Sequence, residues 1–284
     1  MRSSILRRGV VVATLLAATL ALAAPAYAAT GWVTVGSDRA RPLDESQGLT
    51  VIRRGGTVEY RYTGVGTIPA DVAARGYDHV GDPDSASGWY VEPYQRGDQN
   101  GKMFRAQSPS GAWTEYAHPL ASGEAYNNSW DAITPNGTWM LAGEWGTMDR
   151  LLGFATPGLN PAAVPGATLP LAFTVRLDHP VRDVQGCDFS SATVLLCSSD
   201  DPDGTLFGTT KPLLQVDLSR APDGADVTGH VTALRQLPLS SGCSGEFEVE
   251  GIDYQETDGT LRVIVMSPSI CVLFDSKTWR FKQG

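Results

Sequence analysis

The sequence predicts an all-β protein, and three observations carry that expectation. Runs of five to eight strand-forming residues alternate with Gly, Pro, Ser and Asp clusters along the chain, and almost nothing has helical period. A hairpin phrase recurs. Its clearest copy is residues 130–145, where Pro135-Asn136-Gly137 turns the chain between an aromatic strand and a second, apolar strand ending in Glu144. Other copies lie at 78–95, 181–201 and 248–267, with more polar hairpins between them. An inner hairpin followed by an outer one makes a four-stranded unit, and repetition of such units describes a β-propeller.

Taken in order, the chain opens with a basic start (Arg2, Arg7, Arg8), an apolar run over 10–24 and the small-x-small site Ala26-Tyr27-Ala28. This reads as a secretory signal peptide over 1–28, cleaved near Ala28. The apolar run is short for a membrane anchor. A single domain over 29–284 remains. Its first hairpin is 49–62, turning at Arg53-Arg54-Gly55-Gly56, and the one helix candidate is 69–75. Outer hairpins are expected at 103–118, 151–177, 212–237 and 270–282. With 49–62 they make five outer pairs, hence five blades of four antiparallel strands. The first blade's inner strands would come from 31–35 or from another segment that closes the ring. A β-sandwich also has many short strands, but it does not require repeats alike in kind and order.

Removing Arg2, Arg7 and Arg8 takes the 22 basic residues to 19 against 31 acids, a mature charge of −12. That balance argues against nucleic acid or anionic membranes as partners and suits neutral sugars or calcium. The four cysteines, Cys187, Cys197, Cys243 and Cys271, imply two disulfides in an exported chain. Cys187 and Cys197 flank one turn and are expected to pair, leaving Cys243 with Cys271.

In a propeller, the start of each inner strand and the end of its neighbour converge on one central mouth. His79, Asp131, Gln185 and Glu250 fall at starts; Glu92, Tyr94, Gln95, Glu144 and Trp145 fall at ends. Carboxylates gathered there would either raise one another's pKa or hold a cation. One acid protonating a leaving group while its partner activates water is the chemistry of glycoside hydrolysis. The bland alternative is a solvated polar rim, which weighs most on Glu92, Asp200 and Asp201.

Two family resemblances arise at these residues. Asp82-Pro83 followed by Gly88-Trp89-Tyr90, then Trp130-Asp131 and Glu250-Gly251, resembles the motifs of five-bladed arabinanase-type glycoside hydrolases. The resemblance implies Asp82 as general base, Asp131 as the residue tuning the acid, and Glu250 as general acid. It departs from that family in having a blade with Val184 and Gln185 between the last two. Glu250-Gly251 is equally similar to a motif of calcium-dependent lactonase and phytase-like propellers, which implies calcium as the candidate cofactor.

The function expected is hydrolysis of an extracellular carbohydrate, with Asp82, Asp131 and Glu250 catalytic and His79, Tyr94, Gln95, Glu144, Trp145 and Gln185 binding substrate. The alternatives are a non-catalytic glycan- or protein-binding module and a calcium-dependent lactone or phosphoester hydrolase. The chain is expected to be secreted, free of a membrane anchor and monomeric.

Overall fold

The computed structural model describes residues 31–284, so the signal-peptide expectation lies outside the described residues. The fold is all-β. It begins with β1 (Trp32–Arg39), the hairpin β2 (Gly48–Arg54) and β3 (Thr57–Thr63), and the one-turn helix α1 (Ala70–Ala73). A group follows of β4 (His79–Val80), β5 (Asp84–Ala86), β6 (Trp89–Gln95), β7 (Gly101–Gln107) and β8 (Trp113–Pro119). The next comprises β9 (Asn127–Ile133), β10 (Trp139–Glu144), β11 (Thr147–Ala155) and β12 (Phe173–Arg182). Then come β13 (Val184–Ser191), β14 (Val194–Ser199), β15 (Pro212–Leu218) and β16 (Val227–Gln236). The last group is β17 (Glu248–Gln255), β18 (Thr260–Met266), a 3-10 turn (Ser269–Leu273) and β19 (Lys277–Gln283). Among the described residues no helix is long and apolar enough to cross a membrane.

Local chemistry sets the turns. Gly55 and Gly56 sit at φ 52° and 85°, as a two-residue hairpin turn of type I′ requires. Each inner hairpin read from the sequence is an antiparallel pair here: β6 with β4 and β5, β9 with β10, β13 with β14, and β17 with β18.

Three placements correct the sequence reading. Residues 31–35 supply no inner strand; β1 pairs antiparallel with β19 and completes the last sheet, in the order β1-β19-β18-β17. Residues 270–282 accordingly give one strand, not two. Ile270 lies in the 3-10 turn, started by Pro268 and tied by the Cys243–Cys271 disulfide. The 49–62 hairpin is also no outer pair, since β2 packs against β5 and β17 and the β2–β3 sheet has two strands among the described residues.

The β9–β12 and β13–β16 groups join through a parallel pairing of β12 with β16, giving an eight-stranded, nearly closed sheet whose ends, β9 and β13, come back into contact. One edge strand from each group meets the next in succession: β2 with β5, β5 with β9, β9 with β13, β13 with β17, and β17 with β2. The apolar core lies in layers between the groups. Val91, Phe104, Met140 and Phe154 form one, Trp130, Leu141, Phe189 and Leu214 a second, and Leu196, Leu213, Val263 and Phe281 a third. The disulfides pair as expected, and Cys187 stands directly opposite Cys197 across β13–β14. Two such bonds belong to an oxidising compartment.

The edge strands approach too closely for side chains at some points. A Cβ on Gly81 would lie 1.5 Å from the Ser129 carbonyl oxygen. Gly81→Ala is therefore expected to lower stability by about 3 kcal/mol or more in chemical denaturation. Gly242→Ala, where a Cβ meets nothing within 4 Å, should leave stability unchanged.

Candidate functional site

At the centre of the five edge strands is Asp82, fully buried. Its Oδ1 accepts the Leu49 amide of β2 at 3.0 Å and its Oδ2 accepts the Ile252 amide of β17 at 3.0 Å. Its own amide donates to the Ser129 carbonyl, and its carbonyl accepts the Asp131 amide, both on β9. On β13, a Cβ on Gly186 would fall 2.1 Å from Oδ2; on β17, a Cβ on Gly251 would fall 2.1 Å from Oδ1. Burial raises the Asp82 carboxyl well above its ordinary value despite the two amide donors. Asp82 lines neither of the clefts described below, so the general-base role implied by the resemblance finds no solvent path at this residue.

The strand ends on the two sides of Asp82 bound two clefts. One, of about 150 Å³, is lined by Gln47, His79, Gln95, Tyr126, Trp145, Gln185, Glu248 and Glu250. It gathers five residues that the sequence assigned to the mouth: His79, Gln95, Trp145, Gln185 and Glu250. The indole of Trp145 is 46% exposed. The Tyr126 hydroxyl donates to Gln95 Oε1 at 2.7 Å, Gln47 Nε2 donates to Glu250 Oε1 at 3.3 Å, and Gln185 Nε2 donates to Asp200 Oδ2 at 3.4 Å. Burial, then the nearby Glu248, Asp200 and Asp82 carboxylates, raises the Glu250 carboxyl well above its usual range. Burial lowers the pKa of His79, against the pull of Asp78. Asp200 is pushed up to about 6 by burial, opposed by Lys211 at 2.6 Å.

The remaining expected residues lie elsewhere. Asp131 is fully enclosed, and neither of its oxygens meets a hydrogen-bond partner among the described residues. Burial lifts its carboxyl well above the ordinary range, while the Lys102 charge pulls the other way. Lys102 is itself enclosed, and burial pushes its ammonium down to about 7. Tyr94 is buried against Val72, Val80 and Met103, with its hydroxyl on Glu92 Oε2 at 2.7 Å. Glu144 is held by Arg150 at 2.6 and 2.7 Å and accepts the Ala125 amide, outside the cleft. His118 is buried in β8 between the Leu169 carbonyl and Glu124.

Gln47, Tyr126 and Glu248 were missed. Gln47 directly precedes β2, which the sequence reading put in an outer pair. Glu248 stands two residues before Glu250 in a strand, and that spacing was the available signal.

The second cleft, about 300 Å³, lies at the turn ends of the same strands, with Asp84, Asp188 and Asp253 in its wall. These acids bind neighbouring main chain or a cation. Asp84 Oδ2 accepts the Ile133 amide at 2.6 Å, Asp188 Oδ2 accepts the Tyr254 amide at 2.6 Å, and Asp253 pairs with Arg262 at 2.8 Å. Burial pushes Asp84 up to about 7, and burial with the charges of Asp84 and Asp253 raises Asp188 well above its ordinary value. Among the described residues no group of three or more His, Cys, Asp or Glu is placed to hold a metal ion, so the geometry adds nothing to the calcium expectation.

A carboxyl whose folded pKa exceeds its unfolded value keeps its proton better in the folded state. Its contribution is complete below the ordinary value near 3.8 and is lost as pH rises through about 7. Thermal stability is therefore expected to fall between pH 5 and pH 8, by on the order of a few kcal/mol. Asp84→Asn should flatten that slope whatever its offset; an unchanged slope in melts across this range would contradict the assignment. No protein-family model matches the chain and no curated protein matches it at a significant level, so the functional reading rests on these side chains.

Proposed function

We propose that this chain is an exported five-bladed propeller that binds a neutral carbohydrate in the cleft bounded by Trp145 and Glu250. The closed succession of β2, β5, β9, β13 and β17 supports the toroid, with β2–β3 as a blade of two strands and β1 completing the last blade. The disulfides and the leader-like N-terminal sequence support export.

The observation that carries the binding reading is Trp145. A large, partly exposed indole stands at the rim of a concavity whose other walls offer amides from Gln47, Gln95 and Gln185, the Tyr126 hydroxyl and the Glu250 carboxyl. An aromatic face stacks on the apolar face of a sugar ring, and amides and carboxyls satisfy its hydroxyls. The cleft is small enough for one sugar residue, consistent with recognition of a chain end or a single branch.

Hydrolysis is the second reading, favoured by one feature. Burial raises the Glu250 carboxyl well above its usual range, and the exposed Glu248 lines the same cleft, so two carboxyl groups in unlike surroundings are available together. Asp82 and Asp131 have no part in it.

A glycan array and calorimetry on the best hit test the binding reading. Trp145→Ala is expected to weaken binding roughly tenfold, about 1.4 kcal/mol, without lowering the melting temperature. Undiminished affinity would remove the reading. A reducing-sugar assay separates the two: release that is abolished by Glu250→Gln supports hydrolysis, whereas retention without release leaves a binder.

A further inference from the structure

Among the described residues the outer edge of β3 is unpaired. The β2–β3 sheet has two strands there, where the neighbouring groups have four or more, and β3 pairs with β2 alone. Because Gly55 and Gly56 form a two-residue turn, Arg54 and Thr57 exchange hydrogen bonds, and so do the pairs Ile52–Glu59, Thr50–Arg61 and Gly48–Thr63. The N–H and C=O groups of Val58, Tyr60 and Tyr62 consequently point away from β2. Val58 and Tyr60 are 48% and 54% exposed, and a groove of about 490 Å³ runs beside the strand, with Tyr60 and Tyr62 on one wall and charged side chains such as Asp38, Asp258, Arg262 and Arg280 in the rest of its lining. An open edge of this kind is a template for another strand.

The sequence of that edge is Thr57-Val58-Glu59-Tyr60-Arg61-Tyr62-Thr63. It is self-complementary about Tyr60. Laid antiparallel on a second copy of itself, Thr57 meets Thr63, Val58 meets Tyr62, Glu59 meets Arg61, and Tyr60 meets Tyr60 on the twofold axis. The backbone agrees with the side chains. Val58, Tyr60 and Tyr62, which hold the outward-facing groups, are the residues that this register makes hydrogen-bonded pairs, so every outward N–H and C=O among them finds a partner. Glu59 and Arg61 fall on the intervening pairs, where opposed side chains are closest, and opposite charges there stabilise the ladder. Within one copy Arg61 already holds Glu59 at 2.6 Å, so the pairing would join two such pairs into a four-charge cluster.

We infer that the edge of β3 is a homodimer interface, in which two copies pair β3 antiparallel about Tyr60 to form one continuous sheet β2-β3-β3-β2. This replaces the monomer expected from the sequence and is independent of the carbohydrate reading. A single seven-residue ladder gives a modest interface, so association should be concentration-dependent.

Sedimentation of the mature chain from about 1 to about 200 µM measures it. The expected result is a mass rising towards that of a dimer. Glu59→Arg, which sets like charges opposite Arg61 of the other copy, should shift the midpoint at least about tenfold higher in concentration. The exchange Glu59→Arg with Arg61→Glu should restore it. A second variant serves if charge reversal impairs folding: Tyr60→Cys, on the axis, should form a covalent dimer without reductant, and Val33→Cys on the exposed β1 edge should not. A wild-type chain that stays monomeric throughout, a Glu59→Arg chain that dimerises like wild type, or cross-linking at Val33 in place of Tyr60 would each overturn the inference.

Discussion

A single carboxylate, that of Asp82, ties together strands that lie far apart in sequence. Its two oxygens take amides from β2 and β17, and its main chain exchanges hydrogen bonds with β9. Glycines at 48, 186 and 251 leave it room. Five edge strands brought this close bury main-chain groups that no single sheet can satisfy, because each strand uses one side on its own hairpin partner. An aspartate at the crossing point supplies the missing acceptors. Each amide left unmet in that interior would cost about 1–3 kcal/mol.

The same device is used repeatedly, and it explains why acids are crowded at the middle of a core. Asp84 accepts an amide from β9, and Asp188 accepts one from β17. Each acid fastens its own strand to the next. Burial then raises their pKa values, so perturbed titration here marks a structural fastening and not by itself a catalytic one. Glu250 differs from these in its partner: its carboxylate accepts the Gln47 side-chain amide at 3.3 Å, and the cleft that it lines also contains an exposed indole. The distinction between the acids is therefore one of partner, main chain in one case and side chain in the other.

Much of the architecture was legible in the sequence because it is local. Turn chemistry such as Pro135-Asn136-Gly137, alternation within strands, and two cysteines flanking one turn all act over a few residues. What was misplaced depends on closure of the chain. Nothing local to residues 31–35 states that they will lie against β19, and nothing local to 49–62 distinguishes an inner from an outer hairpin. The candidate site divides in the same way. Strand starts and ends converge on the cleft as expected, which brings His79, Gln95, Trp145, Gln185 and Glu250 together. Asp82, between β4 and β5, and Asp131, further along β9, lie inside the junction, and a short motif match does not register that depth. Tyr94 and Glu144 sit at strand ends but face Glu92 and Arg150, and pleat direction alone decides this.

Amide hydrogen exchange at Leu49 and Ile252 tests the role of Asp82 most directly. In the wild-type chain both amides should be among the slowest, exchanging only with global opening. In Asp82→Ala they should exchange through local opening, while the hairpin amides of β10 and β14 remain slow. Equal protection of Leu49 and Ile252 in the two proteins would contradict the account, because the strands would then be joined without the carboxylate.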